Sequence, residues 1–436
     1  MKIAERQVAF VDVAMKGNDV MSYLKTDYGE YLKGFFVIKL DMVLKENIRV
    51  DEFSKNEFAT FVHEYIHFLQ NVSTVHGMYY FNTTSKLVQL FISEAYKCDD
   101  LIRLPINKEI IENAYEACEL QSFYEGTSEH KKIHHVNEIK IENDEMLEDE
   151  IKLSNIECVN IYYDDKDIPY TFGTICIEES MAYLIENKQF GALDIKNELP
   201  YNSCELVCET ICPSLIGRAN IMVALLEISL MHYNSGVMFC KLLEEIKNKH
   251  LNFKNTLEVF SYFNNKTNLL YSNMKEQYSE IFSAIDFLYP LKTPFENTNF
   301  YLKKVIKKAY RYRCEKSSLI SNIMDLSTKK SNEYFVFLLN TFGVPALIDK
   351  SNDIYSTEFN LGLALVPIAI FNQFNSNVKQ CYLYDYCSKG NMKITDNNCL
   401  YSPWKQSTKE TLCPFAIFWY HYLLDGKEIR KKNELE

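Results

Sequence analysis

From residue 58 to 69, apolar side chains stand at 58, 61, 62, 65, 66 and 69, the three-and-four spacing of one helical face. Ser54 stands where an N-cap belongs and Glu57, three residues on, completes a capping box. Phe53 and Phe58 are spaced to form the hydrophobic staple around that cap, and Gly77 is placed as the C′ stop. Upstream, GFFVIKLDMVL at 34–44 is rich in β-branched and aromatic residues and reads as a strand.

Beyond this helix the pattern predicts helices over 84–97 and 106–124. It changes at about 127–174, where IHHVNEIKIEN and VNIYYDDKDIPYTFG read as strands joined through the acidic stretch ENDEMLEDEIK. That stretch is a β insertion or sheet extension. From Thr174 onward helical spacing dominates, over 175–190, 214–233, 236–249, 267–288 and 298–323, punctuated by Pro213 and Gly236. The expected class is α+β, with region 1–250 holding the strands and region 251–436 mainly helical.

Composition narrows the picture. With 436 residues, 47% hydrophobic and 24% charged, the chain can bury a large core. A formal net charge of -12 and a pI near 5.4 argue against a nucleic-acid partner, since phosphate binding needs concentrated Lys and Arg. The start, MKIAERQVAFVDVAMKGNDV, has no continuous apolar stretch of the signal type. The most apolar later runs, 361–371 and 414–424, are about half the roughly 20 residues a membrane span needs. Thirteen dispersed cysteines, an odd number, point to reduced thiols rather than a disulfide framework. A cytoplasmic protein without a membrane partner is expected.

Candidate chemistry lies in FVHEYIHFLQ, 61–70, whose centre is an H-E-x-x-H pattern. Residues four apart share a helix face with Cβ atoms about 5–6 Å apart, so His63 and His67 can each reach one ion at about 2.0–2.1 Å. Glu64 can then take a proton from a bound water whose pKa zinc lowers to about 7. Composition alone would produce this pattern in about two or three per cent of such chains, so context decides. Here the pattern lies on a capped amphipathic helix preceded by a strand, and its histidines occupy a stripe that a plain core helix would fill with apolar residues.

A catalytic zinc has three protein ligands, so a third must come from elsewhere. The metzincin continuation is absent, because His76 falls at His67 plus nine, where it reads as a cation at a helix end. In GTICIEESMAYLIE, 173–186, the segment E-E-S-M-A resembles the Glu-small-x-Ala pattern of the gluzincins, the zincin group in which a Glu on a second helix completes the site. The resemblance implies that Glu179 is the ligand, with Ser180 and Ala182 small enough for close helix packing. Glu178 is the rival, since adjacent helix positions point about 100° apart and only one can face the metal. Glu94, in FISEAY, is a third choice. The resemblance covers about a fifth of the chain. The separation of more than a hundred residues between His67 and Glu179 departs from the short spacing of thermolysin-like members.

On that resemblance the chain carries a zincin-like catalytic core. It would be a zinc-dependent endopeptidase in which His63, His67 and Glu179 hold Zn2+ and Glu64 is the general base, acting on particular intracellular proteins. A strand edge within 34–44 would pair with an extended protein or peptide substrate. Two alternatives stand beside it: a zinc hydrolase of a non-peptide amide, and a catalytically silent zincin fold used as a binding module. For the oxyanion donor, the sequence offers His232, Tyr233 or Tyr201 without choosing.

Other groupings read as structural. Cys204, Cys208 and Cys212 recur every four residues, a helical stripe suited to core packing. Cys381, Cys387, Cys399 and Cys413 could form a structural zinc site. Against that, five residues intervene in the first gap, where two to four are usual. The basic run KKVIKKAYRYR, 303–313, reads as a solvated helix face.

Overall fold

The computed structural model describes residues 6–8, 24–25, 29–33, 36–44, 53–104, 106, 108–145, 147, 155–191, 199–264, 268–350, 353–355, 361–375, 379–389 and 394–431. The first half opens with four short strands, Arg6–Val8 (β1), Leu24–Lys25 (β2), Gly29–Leu32 (β3) and Val37–Leu40 (β4). Two long buried helices follow, Lys55–Ser73 (α1) and Val75–Lys97 (α2), then Leu101–Leu104 (β5) and Lys108–Glu125 (α3). The expected insertion is an antiparallel three-stranded sheet of Val136–Asn143 (β6), Glu157–Tyr163 (β7) and Tyr170–Phe172 (β8). Thr174–Phe190 (α4) leaves this sheet and packs across α1.

The rest is mainly helical: Ser203–Ile211 (α5), Ala219–Ser229 (α6), Ser235–Asn248 (α7), Thr256–Asn264 (α8), Asn268–Leu288 (α9), Glu296–Lys316 (α10) and Thr328–Phe342 (α11). Ala346–Ile348 (β9) and Asp353–Tyr355 (β10) return to the first sheet, whose order is β1-β10-β9-β4-β3-β2. Short helices Leu361–Ala364 (α12), Val366–Asn375 (α13), Tyr384–Lys389 (α14), Asn397–Tyr401 (α15) and Pro414–His421 (α16) lead to Glu428–Lys431 (β11), which runs parallel to β5. The fold is α+β with a helical majority. Among the described residues no helix is long and apolar enough to cross a membrane.

The sheet corrects one expectation. Within 34–44 the strand is confined to Val37–Leu40, with residues 34 and 35 outside the described ones, and it is interior rather than an edge. β4 pairs antiparallel with β3 on one side and parallel with β9 on the other. Its hydrogen-bonding groups are engaged on both flanks, so no substrate strand can add there.

The cap of α1 matches expectation while its surroundings differ. Glu57 N–H donates to Ser54 Oγ, and Ser54 N–H donates to Glu57 Oε2 at 2.7 Å, a complete capping box. The expected staple partner is replaced: Phe53 lies against Phe61, and Phe58 turns to Phe190 and Phe335. Gly77 is not a C′ stop. α1 ends at Ser73, Thr74 caps α2 by accepting from Gly77 N–H, and Gly77 lies inside the first turn of α2. A Cβ there would stand 2.2 Å from the Asn71 carbonyl oxygen, so two helices meeting at a corner exclude any side chain. The helix expected from 84 starts at 75 because all of this segment except the half-buried Tyr79 is buried, which overrides the weak propensity of VHGMYY.

Candidate metal centre

Helix α1 is buried from Phe61 through Ser73, and its polar residues His63, Glu64 and His67 are enclosed with the apolar ones. His63 and His67 stand one turn apart on one face, their ring centroids 4.9 Å apart. Across them lies α4, which presents Glu179. Its Oε2 is 3.2 Å from His63 Nε2 and its Oε1 is 3.6 Å from His67 Nε2. Two ligand atoms about 2.1 Å from one tetrahedral ion stand about 3.4 Å apart, the separation these distances bracket. His63, His67 and Glu179 thus form a buried group that could hold a metal ion, each offering one ligand atom within 4.8 Å of the others.

The second nitrogen of each imidazole settles which atom faces inward. His63 Nδ1 lies 2.9 Å from Glu186 Oε2, and a carboxylate can only accept, so Nδ1 carries the hydrogen. His67 Nδ1 lies 2.7 Å from Gln70 Oε1, and the Gln70 amide nitrogen donates to the Glu178 carbonyl at 3.1 Å. That orientation makes Gln70 Oε1 the acceptor. The His67 Nε2 lone pair therefore faces the Glu179 carboxylate, acceptor against acceptor, while His63 Nε2 lies against the same carboxylate at 3.2 Å. Such a meeting needs a cation at its centre.

A proton fills that role poorly at His67. Burial pulls its pKa down to about 4, although Glu179 pulls the other way, and its Nε2 is buried with no hydrogen-bond partner. A neutral imidazole with an unused lone pair is the form a metal binds. Two imidazole nitrogens and one carboxylate suit zinc among other divalent transition ions.

Glu64 is wholly buried, and its Oε1 comes so near Gly29 at the start of β3 that a Cβ on Gly29 would be 2.9 Å away. The glycine keeps room for that carboxylate between helix and sheet. Glu178, the rival ligand, turns away from the group to another side of α4. Lys33 Nζ lies 2.6 Å from Glu178 Oε2 and 3.2 Å from Glu125 Oε1, all three buried. Burial raises the Glu178 carboxyl to about 6 against the pull of Lys33. Glu94 is also away from the group, 2.5 Å from Lys97 on its own helix.

His76 is no helix-end cation. It is buried in the first turn of α2, its Nδ1 3.4 Å from Thr174 Oγ1, and burial pulls its pKa down to about 3. Of the oxyanion candidates, Tyr201 stands beside the group, its ring 6.2 Å from that of His63. Tyr233 instead packs on Tyr79 and bonds Gln277, and His232 accepts from Asn234 N–H. Glu186 and Gln70 escaped the sequence reading. Helix periodicity held the signal: Glu186 follows Glu179 by two turns and Gln70 follows His67 by one.

The chain matches no family model, no curated protein and no solved structure. The chemistry therefore rests on its own residues.

Proposed function

We propose that the chain is a zinc-dependent endopeptidase of gluzincin type, with His63, His67 and Glu179 as ligands and Glu64 as general base. The observation that carries this reading is the convergence of the H-E-x-x-H histidines with a glutamate from a second helix, one ligand atom of each within 4.8 Å of the others. When bound, zinc supplies Lewis acidity that polarises a carbonyl and acidifies water. Glu186 and Gln70 hold the two imidazoles in the ligating tautomer. Glu64 takes the proton of the attacking water and returns it to the leaving amine. Tyr201 donates a hydrogen bond to the oxygen on which negative charge develops. Thirteen cysteines without a disulfide support a reducing, cytoplasmic setting and intracellular protein substrates.

Burial supports a second reading. His63, Glu64, His67 and Glu179 are each at most 2% exposed, and a closed metal site is the form structural zinc takes. In that case the chain is a silent zincin-type binding module.

Elemental mass spectrometry on untagged protein, with a peptide-library cleavage assay, separates the two. His67→Ala and Glu179→Ala should each lower zinc by one equivalent relative to wild type. Glu64→Gln should keep the metal and lose about 10²–10⁴-fold in cleavage rate. Wild type that holds zinc at this site and cleaves no peptide would overturn the endopeptidase reading, and zinc unchanged in Glu179→Ala would remove the third ligand.

A further inference from the structure

Strand β3 bears on the metal centre at both of its ends. At its first residue, Gly29 lies against the Glu64 carboxylate. In its middle, the Tyr31 hydroxyl donates to Asn71 Oδ1 on α1 at 3.0 Å. In the turn after its last residue stands Lys33, whose ammonium lies 2.6 Å from Glu178 Oε2 on α4 and 3.2 Å from Glu125 Oε1 at the end of α3. The side chains of Lys33, Glu125 and Glu178 are each at most 4% exposed, so salt and water screen these contacts little.

Glu178 immediately precedes the ligand Glu179, and it is held from two sides. Lys33 takes its carboxylate. The Gln70 amide donates to its carbonyl at 3.1 Å, while Gln70 Oε1 accepts from His67 Nδ1 at 2.7 Å. Glu125 is fixed in turn, because the end of α3 meets the start of α4 backbone to backbone. A Cβ on Gly173 would stand 2.4 Å from the Glu125 carbonyl oxygen, and Thr174 Oγ1 donates to the Tyr124 carbonyl at 3.2 Å. Adjacent helix positions point about 100° apart, so the direction in which Glu178 is held sets the direction of Glu179. A helix with its side chains has a radius of about 5–6 Å, so turning α4 by about 15° would carry the Glu179 carboxylate roughly 1.5 Å. A working site tolerates only about 0.5 Å.

We propose that Lys33 is a positioning residue of the metal centre: its ammonium clasps Glu178 and so locks the rotation of α4 that turns Glu179 onto His63 and His67. The inference rests on the metal centre of the proposed function and not on the cleavage assigned to it. An ammonium suits the task because it is a compact charge with three donors on a long stem, able to reach carboxylates on two helices from one turn. A merely structural ion cluster would hold the fold together and leave the ligand geometry alone. The two roles separate when both members of the Lys33–Glu178 pair are replaced, since apolar residues can restore the stability of a buried pair but not its clasp.

The test measures Co2+ binding to the full chain, by competition with a chromogenic chelator and by the visible ligand-field spectrum of the bound ion, together with the melting temperature. Lys33→Met should bind Co2+ about 10–100-fold more weakly than wild type, with a changed spectrum, whereas Lys33→Arg should stay near wild type. Lys33→Met leaves two carboxylates buried and should melt low. Lys33→Met/Glu178→Met removes the pair and should regain much of that stability without regaining affinity. Phe418→Leu, buried on α16, should lower the melting temperature and keep the wild-type Co2+ spectrum. Affinity and spectrum unchanged in Lys33→Met would overturn the proposal, as would affinity that returns with stability in the double variant, or a wild type that binds no Co2+. Absence of peptide cleavage would sink the peptidase reading without moving any of these values.

Discussion

The two nitrogens of His63 have separate duties: Nδ1 donates to Glu186 while Nε2 faces Glu179. Glu186→Gln should therefore weaken zinc affinity about 10–100-fold with the ligands themselves intact, as read by competition with a chromogenic chelator. His76 gives a pH dependence. Its folded-state pKa, about 3, lies below the ordinary 6.5, so between these values the unfolded chain binds a proton that the folded chain refuses. Its stabilisation is complete above about pH 6.5 and is lost as the pH falls toward 3. Urea midpoints should drop between about pH 7 and pH 4, and His76→Gln should flatten the curve. At this scale the sequence spoke clearly where chemistry and periodicity coincide, at His63 and His67. It was silent on Lys33 and Glu125, whose pairing with Glu178 joins a β-turn residue to two helices.

For a single helix, end effects and corners matter most. Ser54→Ala removes half of a capping box at a partly exposed terminus and should cost about 1 kcal/mol without changing metal content, measured by denaturant unfolding. Gly77→Ala is a harsher change despite adding one methyl, because the carbonyl it meets is backbone and cannot rotate away. It should cost roughly 3 kcal/mol or more. The capping box was readable because all its partners lie within four residues. The corner was not, because a glycine that stops a helix and a glycine that admits a neighbouring helix are the same letter. Likewise the strand within 34–44 was legible as a strand, but its interior position depends on a partner some three hundred residues away.

Across the whole molecule, Arg313 ties distant parts together. It bonds the Glu227 carboxylate on α6 and both the carbonyl and the hydroxyl of Ser73 at the end of α1, and Glu227 also accepts from the N–H groups of Leu319, Ile320 and Ser321. In the sequence it is one cation in KKVIKKAYRYR, where Lys303 does reach a partly exposed Asp286. Nothing local marked Arg313 as the buried member. Arg313→Met should cost about 3–5 kcal/mol, because Glu227 would keep a buried charge, whereas a joint Arg313→Met/Glu227→Leu change should recover much of it in thermal melts. The same long reach governs the first sheet, where β4 lies between β3 and β9. During synthesis at about 5–20 residues per second, β9 follows β4 from the ribosome by roughly 15–60 seconds. Through that interval one flank of β4 has no β9 partner, although every residue of the metal centre is made well before the interval ends. The nascent chain is then most open to aggregation, and a chain cut short before residue 346 would keep that sticky edge permanently.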